Sequence, residues 1–189
     1  ADFISHYENS SQIMITQLIG YRFQYKVSKK LILNILKAIR TSERPLLYIG
    51  GGSISSNAYR ELFIMAHVFA IPTTTTLMGK GAFNENDQLS VGMLGMHGTA
   101  YANFAISECD LLIAIGARFD DRVTGKLEDF ASQAQIVHID IDPAEFGKII
   151  QPDVSINGDA RLVLQELIPH VHKLDSGPWL KSVASWKKK

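Results

Sequence analysis

The sequence predicts an α/β fold, a doubly wound parallel sheet with helices on both faces. Three observations predict it. Unbroken apolar runs of four or five residues, Leu46–Ile49 and Leu111–Ile115, and the mostly apolar Ile136–Ile141 suit strands covered on both sides. These runs alternate with segments of helical period, which calls for right-handed crossovers between parallel strands. Glycine and charged clusters follow the runs, and ligands bind such sheets outside the carboxyl ends of the strands.

Residues 1–27 are rich in Ser, Gln, Tyr and Asn without sustained periodicity and read as a linker or arm. Leu31, Ile32, Ile35, Leu36 and Ile39 fall at helical spacing, and Arg44-Pro45 closes that helix because proline bars its predecessor from helical backbone. The strand Leu46–Ile49 runs into Gly50-Gly51-Gly52. Ser53, Ser55 or Ser56 is expected to cap the next helix, which carries Ala58, Leu62, Met65, Ala66 and Phe69. The β-branched run Ile71–Thr76 is a second strand, with Pro72 near its start. Residues 77–98 read as a long functional loop with one short helix. Ala100, Asn103, Phe104 and Ser107 give a helix with a small-residue face. Leu111–Ile115 is the third strand. Residues 117–134 form a loop with a short helix around Leu127–Phe130, and Ile136–Ile141 is the fourth strand. Asp142-Pro143-Ala144-Glu145 has the composition of a helix start. Val154–Ile156 is a fifth strand, Gly158-Asp159 opens a helix bearing Leu162, Leu164, Leu167 and Ile168, and Ser176–Trp186 is the last helix.

Composition narrows the function. The 189 residues carry 19 Lys+Arg and 19 Asp+Glu, so the basic surplus of a nucleic-acid binder is missing. Lys187–Lys189 reads as a solvated tail. One cysteine, Cys109, excludes an internal disulfide framework and fits a reducing compartment. No apolar run nears the ~18–20 residues that span a bilayer. The N-terminus lacks the basic flank of a signal peptide, and a start at Ala1 rather than Met suits a processed or excised piece.

Four segments carry chemistry. Gly50-Gly51-Gly52, between strand and helix, resembles a phosphate-binding turn, but Ser55 stands where a dinucleotide fingerprint has its third glycine. No acid ends the second strand, where an NAD ribose would be held. A tight turn without ligand would use the same residues. Gly92–Thr99 holds three Gly, two Met and a His in eight residues, a flexible binding surface or a capped, methionine-packed turn. Gly116–Gly125 sets Arg118, Asp120, Asp121 and Arg122 in one loop after a strand, where arginine can grip phosphate or carboxylate and the aspartates can orient it. Ion pairing explains these carboxylates better than acid–base catalysis. Asp140 and Asp142 end a strand, where a carboxylate can accept from ribose hydroxyls, and Asp142 also suits a helix cap. Zinc sites, a Gly-x-Ser-x-Gly elbow and a Walker loop find no match.

Taken together, Tyr48–Gly52, Thr76–Gly81, Met93–Thr99, Arg118–Lys126 and His138–Glu145 resemble, in order, the central domain of the acetohydroxyacid synthase (acetolactate synthase) family, within the thiamine-diphosphate enzymes. Gln17–Tyr21 resembles the linker entering that domain, and Trp179–Lys189 the start of the connection leaving it. The resemblance implies a Rossmann-like sheet of about six strands, one more than the five read above, with residues 83–92 or 123–130 able to hold the sixth. It implies condensation of two pyruvates, or of pyruvate and 2-oxobutyrate, with loss of CO2 in branched-chain amino acid biosynthesis. Thiamine diphosphate and Mg²⁺ serve the whole enzyme without being bound by this chain alone, and FAD is held largely by this domain. The FAD residues it implies are Gly51, Thr76, Leu77, Met78 and Gly79; Leu94, Gly95, Met96 and His97; Gly116, Ala117, Arg118, Phe119 and Asp120; and Asp140, Ile141, Asp159 and Ala160. Arg122, oriented by Asp121, would attract the substrate carboxylate, and Met96 and His97 would line the channel where sulfonylurea-type herbicides bind this family.

The implied organisation is an arm at 1–27, an FAD-binding domain at 28–174 and a C-terminal helix or linker at 175–189. No catalytic residue and no metal ligand is expected in this chain. The thiamine signature Gly-Asp-Gly…Asn-Asn is absent, since Ala160 follows Gly158-Asp159, so the chain alone is expected not to form acetolactate. Implied partners are the remaining domains of a catalytic subunit, in a homodimer or homotetramer with a small regulatory subunit; nucleic acid and membrane are not expected. The implied compartment is the bacterial cytoplasm or the plastid stroma of plants and algae. Alternatives are the middle domain of another FAD-containing carboligase such as glyoxylate carboligase, disfavoured by the Arg118–Gly125 run, a stand-alone nucleotide-binding module, and an NAD-dependent dehydrogenase.

Overall fold

A computed structural model describes residues 27–170 and 176–188. The arm, with Gln17–Tyr21, lies outside them. Six parallel strands form one sheet: β1 (Pro45–Ile49), β2 (Thr73–Thr75), β3 (Ser90–Met93), β4 (Leu111–Ile115), β5 (Gln135–Asp140) and β6 (Val154–Asn157). Their order is β3-β2-β1-β4-β5-β6. The order reverses between β1 and β4, which pair in register from Pro45↔Leu111 to Ile49↔Ile115. Every residue of both strands is buried.

Strand alternation divides the core. Leu47, Ile49, Leu111, Ile113, Ile115, Val137 and Ile139 face one layer, built from α1 (Lys29–Thr41), α3 (Tyr59–Phe69) and α6 (Ala160–Leu167). Leu46, Tyr48, Leu112, Ala114 and Ile136 face the other, built from α4 (Ala100–Glu108) and α7 (Gly177–Trp186). Two apolar faces on one sheet explain the unbroken hydrophobic runs. Asp110 joins α1 to β4: its carboxylate accepts from the Glu43 and Arg44 amides at 2.8 and 2.9 Å and from the Ser42 hydroxyl.

The sixth strand is β3, inside the segment read as a loop. It pairs only with β2, with a register shift between Thr73 and Thr75. β2 itself is shorter than the run Ile71–Thr76. Pro72 precedes it, and the Pro72 carbonyl accepts from the Leu47 amide at 2.9 Å.

Three local readings are corrected. The helix α2 (Gly51–Ser55) starts directly after Gly50, and α3 begins after Ala58 without a side-chain cap. Ser53 instead donates its hydroxyl to the Ile115 carbonyl at 3.0 Å, across to β4. The short helix after β4 is α5 (Asp121–Thr124), not Leu127–Phe130, because Asp120 accepts from the Val123 amide and fixes the start six residues earlier. On α4 the buried face is Ala102, Ala105 and Ile106, while Asn103 is kept for a loop contact described below.

Candidate functional site

A cavity of about 810 Å³ opens at the carboxyl end of the sheet, across the point where the strand order reverses. Its floor is laced backbone. The Gly50 amide donates to Ile115 at 3.0 Å, the Gly52 amide to Gly116 at 2.9 Å, and the Gly116 amide to Ile139 at 2.8 Å. A β-carbon on Gly50 would lie 2.1 Å from the Gly116 carbonyl oxygen. One on Gly116, at φ +56°, would lie 2.7 Å from the Gly52 α-carbon. These glycines are therefore used up in joining β1 to β4. Gly51 is the one of the three whose missing side chain keeps the cavity open, toward Met78.

Four segments rise from this floor. After β2, the Thr76 hydroxyl accepts from the Gly79 amide at 2.9 Å and closes a tight turn. That turn presents Leu77 and Met78, 68% and 71% exposed. After β3, the Asn103 side chain holds Gly95 by both backbone groups, at 3.2 and 3.1 Å, and the Met96 amide donates to the Arg122 carbonyl at 3.1 Å. Met96 is 77% exposed, and solvent-facing methionines beside a cavity give an adaptable apolar surface. After β4 come Arg118, Asp120 and Arg122. Asp140 ends β5, and Asp142 and Glu145 follow it.

Burial pushes the Asp140 carboxyl above its usual range, and the hydrogen bond from the Asp142 amide, 2.9 Å, opposes that shift. Beneath it, burial holds the His138 imidazole below its usual range, opposed by Asp140 and by the bond to Ala117. The cavity thus combines two guanidinium groups, four carboxylates and exposed apolar side chains. Arginine suits a diphosphate, carboxylates accept from sugar hydroxyls, and flat apolar surface takes an aromatic ring. The volume is in the ~300–1,000 Å³ range of small-molecule sites. The donor set and size fit an extended dinucleotide such as FAD.

Of the residues singled out from sequence, Gly51, Thr76, Leu77, Met78, Leu94, Met96, His97, Gly116, Ala117, Arg118, Asp120, Arg122 and Asp140 line this one cavity. Six do not line it. Gly79 lies under the Ile49 carbonyl and Gly95 against the Arg122 carbonyl. Phe119 is buried among Tyr48, Phe130 and His138. Ile141 faces solvent, Asp159 caps α6 by accepting from the Leu162 amide, and Ala160 is in the core. The Asp121 side chain lies outside what is described. Gly52, Met93, Val123 and Asp142 also line the cavity; they belong to the four chemistry-bearing segments but not to the residues the resemblance implies, whereas Ile54, Ser55 and Glu145 were not offered as binding residues at all. Asp142 and Glu145 were legible from their place just past a strand end; Ile54 and Ser55 needed α2, which the sequence reading began too late. Among the described residues no group of three or more His, Cys, Asp or Glu could hold a metal ion, and no helix is long and apolar enough to cross a membrane.

The family profile "Thiamine pyrophosphate enzyme, central domain" matches residues 32–167. The chain is 52% identical over 175 residues to an acetolactate synthase large subunit of Cyanidium caldarium, covering 89% of this chain and 30% of the relative. It is 49% identical over 173 residues to a probable acetolactate synthase large subunit of Methanocaldococcus jannaschii, covering 90% and 28%. It is 51% identical over 161 residues to the chloroplastic acetolactate synthase 3 of Brassica napus, covering 82% and 24%. The chain therefore spans about a quarter to a third of the length of these curated relatives.

Proposed function

This chain belongs to the thiamine pyrophosphate enzyme family as a central domain, and from that premise we propose that it is the FAD-holding part of an acetolactate synthase catalytic subunit. The reaction is the condensation of two pyruvates, or of pyruvate and 2-oxobutyrate, with loss of CO2. The observation that carries the reading is that the run most particular to this branch, Arg118–Lys126, sends Arg118, Asp120, Arg122 and Val123 into the cavity that Gly51, Met78 and Asp140 also line. Identity near one half to acetolactate synthase large subunits supports it and leaves the glyoxylate carboligase alternative unfavoured.

In this reading, thiamine diphosphate with Mg²⁺ supplies the carbanion chemistry, on segments other than those described here. The chain's own residues bind and orient. Arg118 holds anionic phosphate, Asp140 accepts from ribose, and Leu77, Met78 and Met96 give apolar surface to a flat ring. Arg122 draws a substrate carboxylate, with Met96 and His97 along its route. The remaining domains, a homodimer or homotetramer, a small regulatory subunit, and a bacterial-cytoplasmic or plastid location complete the proposal, as does the division into 1–27, 28–174 and 175–189.

The test is a titration of the purified chain with FAD, followed by flavin fluorescence, with NAD in parallel. Saturable FAD binding, weakened in Gly51→Val, is the expected result. Saturable NAD binding without FAD binding would overturn the assignment.

A further inference from the structure

His138 has no place in the proposed reaction, yet it sits directly beneath the cavity. It is fully buried on β5. Its Nε2–H donates to the Ala117 carbonyl at 3.0 Å, and its Nδ1 is buried without a hydrogen-bond partner. Together these define a neutral imidazole with its proton on Nε2. Two aromatic rings clamp it edge-on. Phe119, from the loop after β4, lies 5.1 Å away at 74°, and Phe146, from the turn after β5, lies 5.1 Å away at 87°. The Asp140 carboxylate is 3.9 Å from the same Nε2.

These contacts belong to the two walls of the cavity. Ala117 and Phe119 flank Arg118, and Asp120 follows directly. Phe146 follows Glu145 in the turn that also carries Asp142. We propose that His138 is a positioning residue: a strut between the arginine-bearing loop after β4 and the acidic turn after β5, fixing the distance at which the two grip a dinucleotide's phosphate and sugar. The inference rests on the cavity being the FAD site. It adds that the spacing of the walls is set from below by one imidazole, through one hydrogen bond and two ring contacts.

A purely space-filling histidine would be replaced equally well by any side chain of similar volume. The strut needs a donor toward Ala117. The full chain with His138→Leu, which fills the space without a donor, is compared with His138→Gln, which keeps an N–H. Losing one such bond weakens FAD binding about tenfold in His138→Leu. His138→Gln recovers most of that loss. Amide hydrogen exchange should rise at residues 117–123 and 142–146 in His138→Leu and stay unchanged in α1 and α6. Equal losses in both variants, or exchange rising throughout the molecule, would overturn the proposal.

Two readouts need no flavin. Should His138→Leu not fold, His138→Gln is read against wild type alone: exchange at residues 117–123 and 142–146 should match wild type because the donor toward Ala117 is kept, and a rise confined to those residues would overturn the strut. Nitrogen-15 NMR of the wild-type imidazole should give the neutral Nε2–H tautomer, and an Nδ1–H tautomer would overturn the strut directly. A wild-type chain that binds no FAD but shows the expected tautomer and local exchange would refute the FAD reading while keeping the strut.

Discussion

Gly116 and Gly125 both have φ of +56°, yet their surroundings differ completely. An added methyl at Gly125 meets nothing within 4 Å, whereas at Gly116 it meets Gly52 Cα, Gly52 C and Ser53 N at 2.7–2.8 Å. Gly125→Ala therefore costs only the left-handed backbone of an L-residue, about 1–2 kcal/mol. Gly116→Ala carries the same cost plus overpacking against backbone that cannot rotate away, about 1–3 kcal/mol more. It also strains the 2.9 Å bond from the Gly52 amide to the Gly116 carbonyl, worth about 1 kcal/mol. The reduced freedom of the unfolded chain is common to both variants and cancels in their difference. Urea unfolding should thus place Gly116→Ala about 2–4 kcal/mol below Gly125→Ala, a large part of the roughly 5–15 kcal/mol that holds a domain together. Values agreeing within about 0.5 kcal/mol would refute the idea that the β1–β4 junction is closed by glycine-to-glycine contact.

Three further outcomes are expected. Cys109 is fully buried, and burial pushes its thiol up to about 12, so a disulfide reagent should label it only as fast as the chain unfolds; immediate labelling of native protein would contradict that environment. Burial keeps His138 neutral below its usual range, so the unfolded chain takes up that proton first and stability falls as pH drops below about 6.5. Asp140 and Glu145 face the ring and oppose this, and Asp140's own raised carboxyl acts with the opposite sign, stabilising at low pH and losing that contribution as pH rises. Urea midpoints should decline more from about pH 7.5 to about pH 5.5 in wild type than in His138→Gln, and equal declines would contradict the assignment. Arg118→Ala should weaken FAD binding by about tenfold to a hundredfold, the usual effect of a charged hydrogen-bonding partner, with an unchanged urea midpoint; unchanged affinity would remove Arg118 from the site.

The central strands were legible because both of their faces are buried, which leaves no polar alternation to blur Leu111–Ile115 or Leu46–Ile49. β3 was hidden because Ser90-Val91-Gly92-Met93 is an edge strand whose one fully buried hydrophobic residue is Val91. Its pairing is set by tertiary contact with an irregular β2 rather than by its own residues. Asp142 and Asp159 were recognisable as helix starts from residue type, because an aspartate before a turn accepts from local amides wherever it stands. The start of α5 was missed because the apolar pair Leu127 and Phe130 drew the helix toward it. Leu127 is instead exposed, and Asp120 caps earlier.

The glycine turn taught the least from sequence. A ligand-cradling turn and a strand-joining turn both need Gly50-Gly51-Gly52, and only three-dimensional neighbours distinguish them. Gly50 and Gly52 serve the junction with Gly116, and Gly51 serves the cavity. The same holds for Phe119 and Arg118, adjacent in one run. Arg118 lines the cavity, while Phe119 turns back to clamp His138.

A crystal structure of the chain grown with saturating FAD bears most directly on the proposed cofactor site. Flavin density is expected in the cavity over Gly51, with phosphate beside Arg118 and ribose beside Asp140. Flavin seated elsewhere, or a clear cavity in crystals that contain bound FAD, would contradict it.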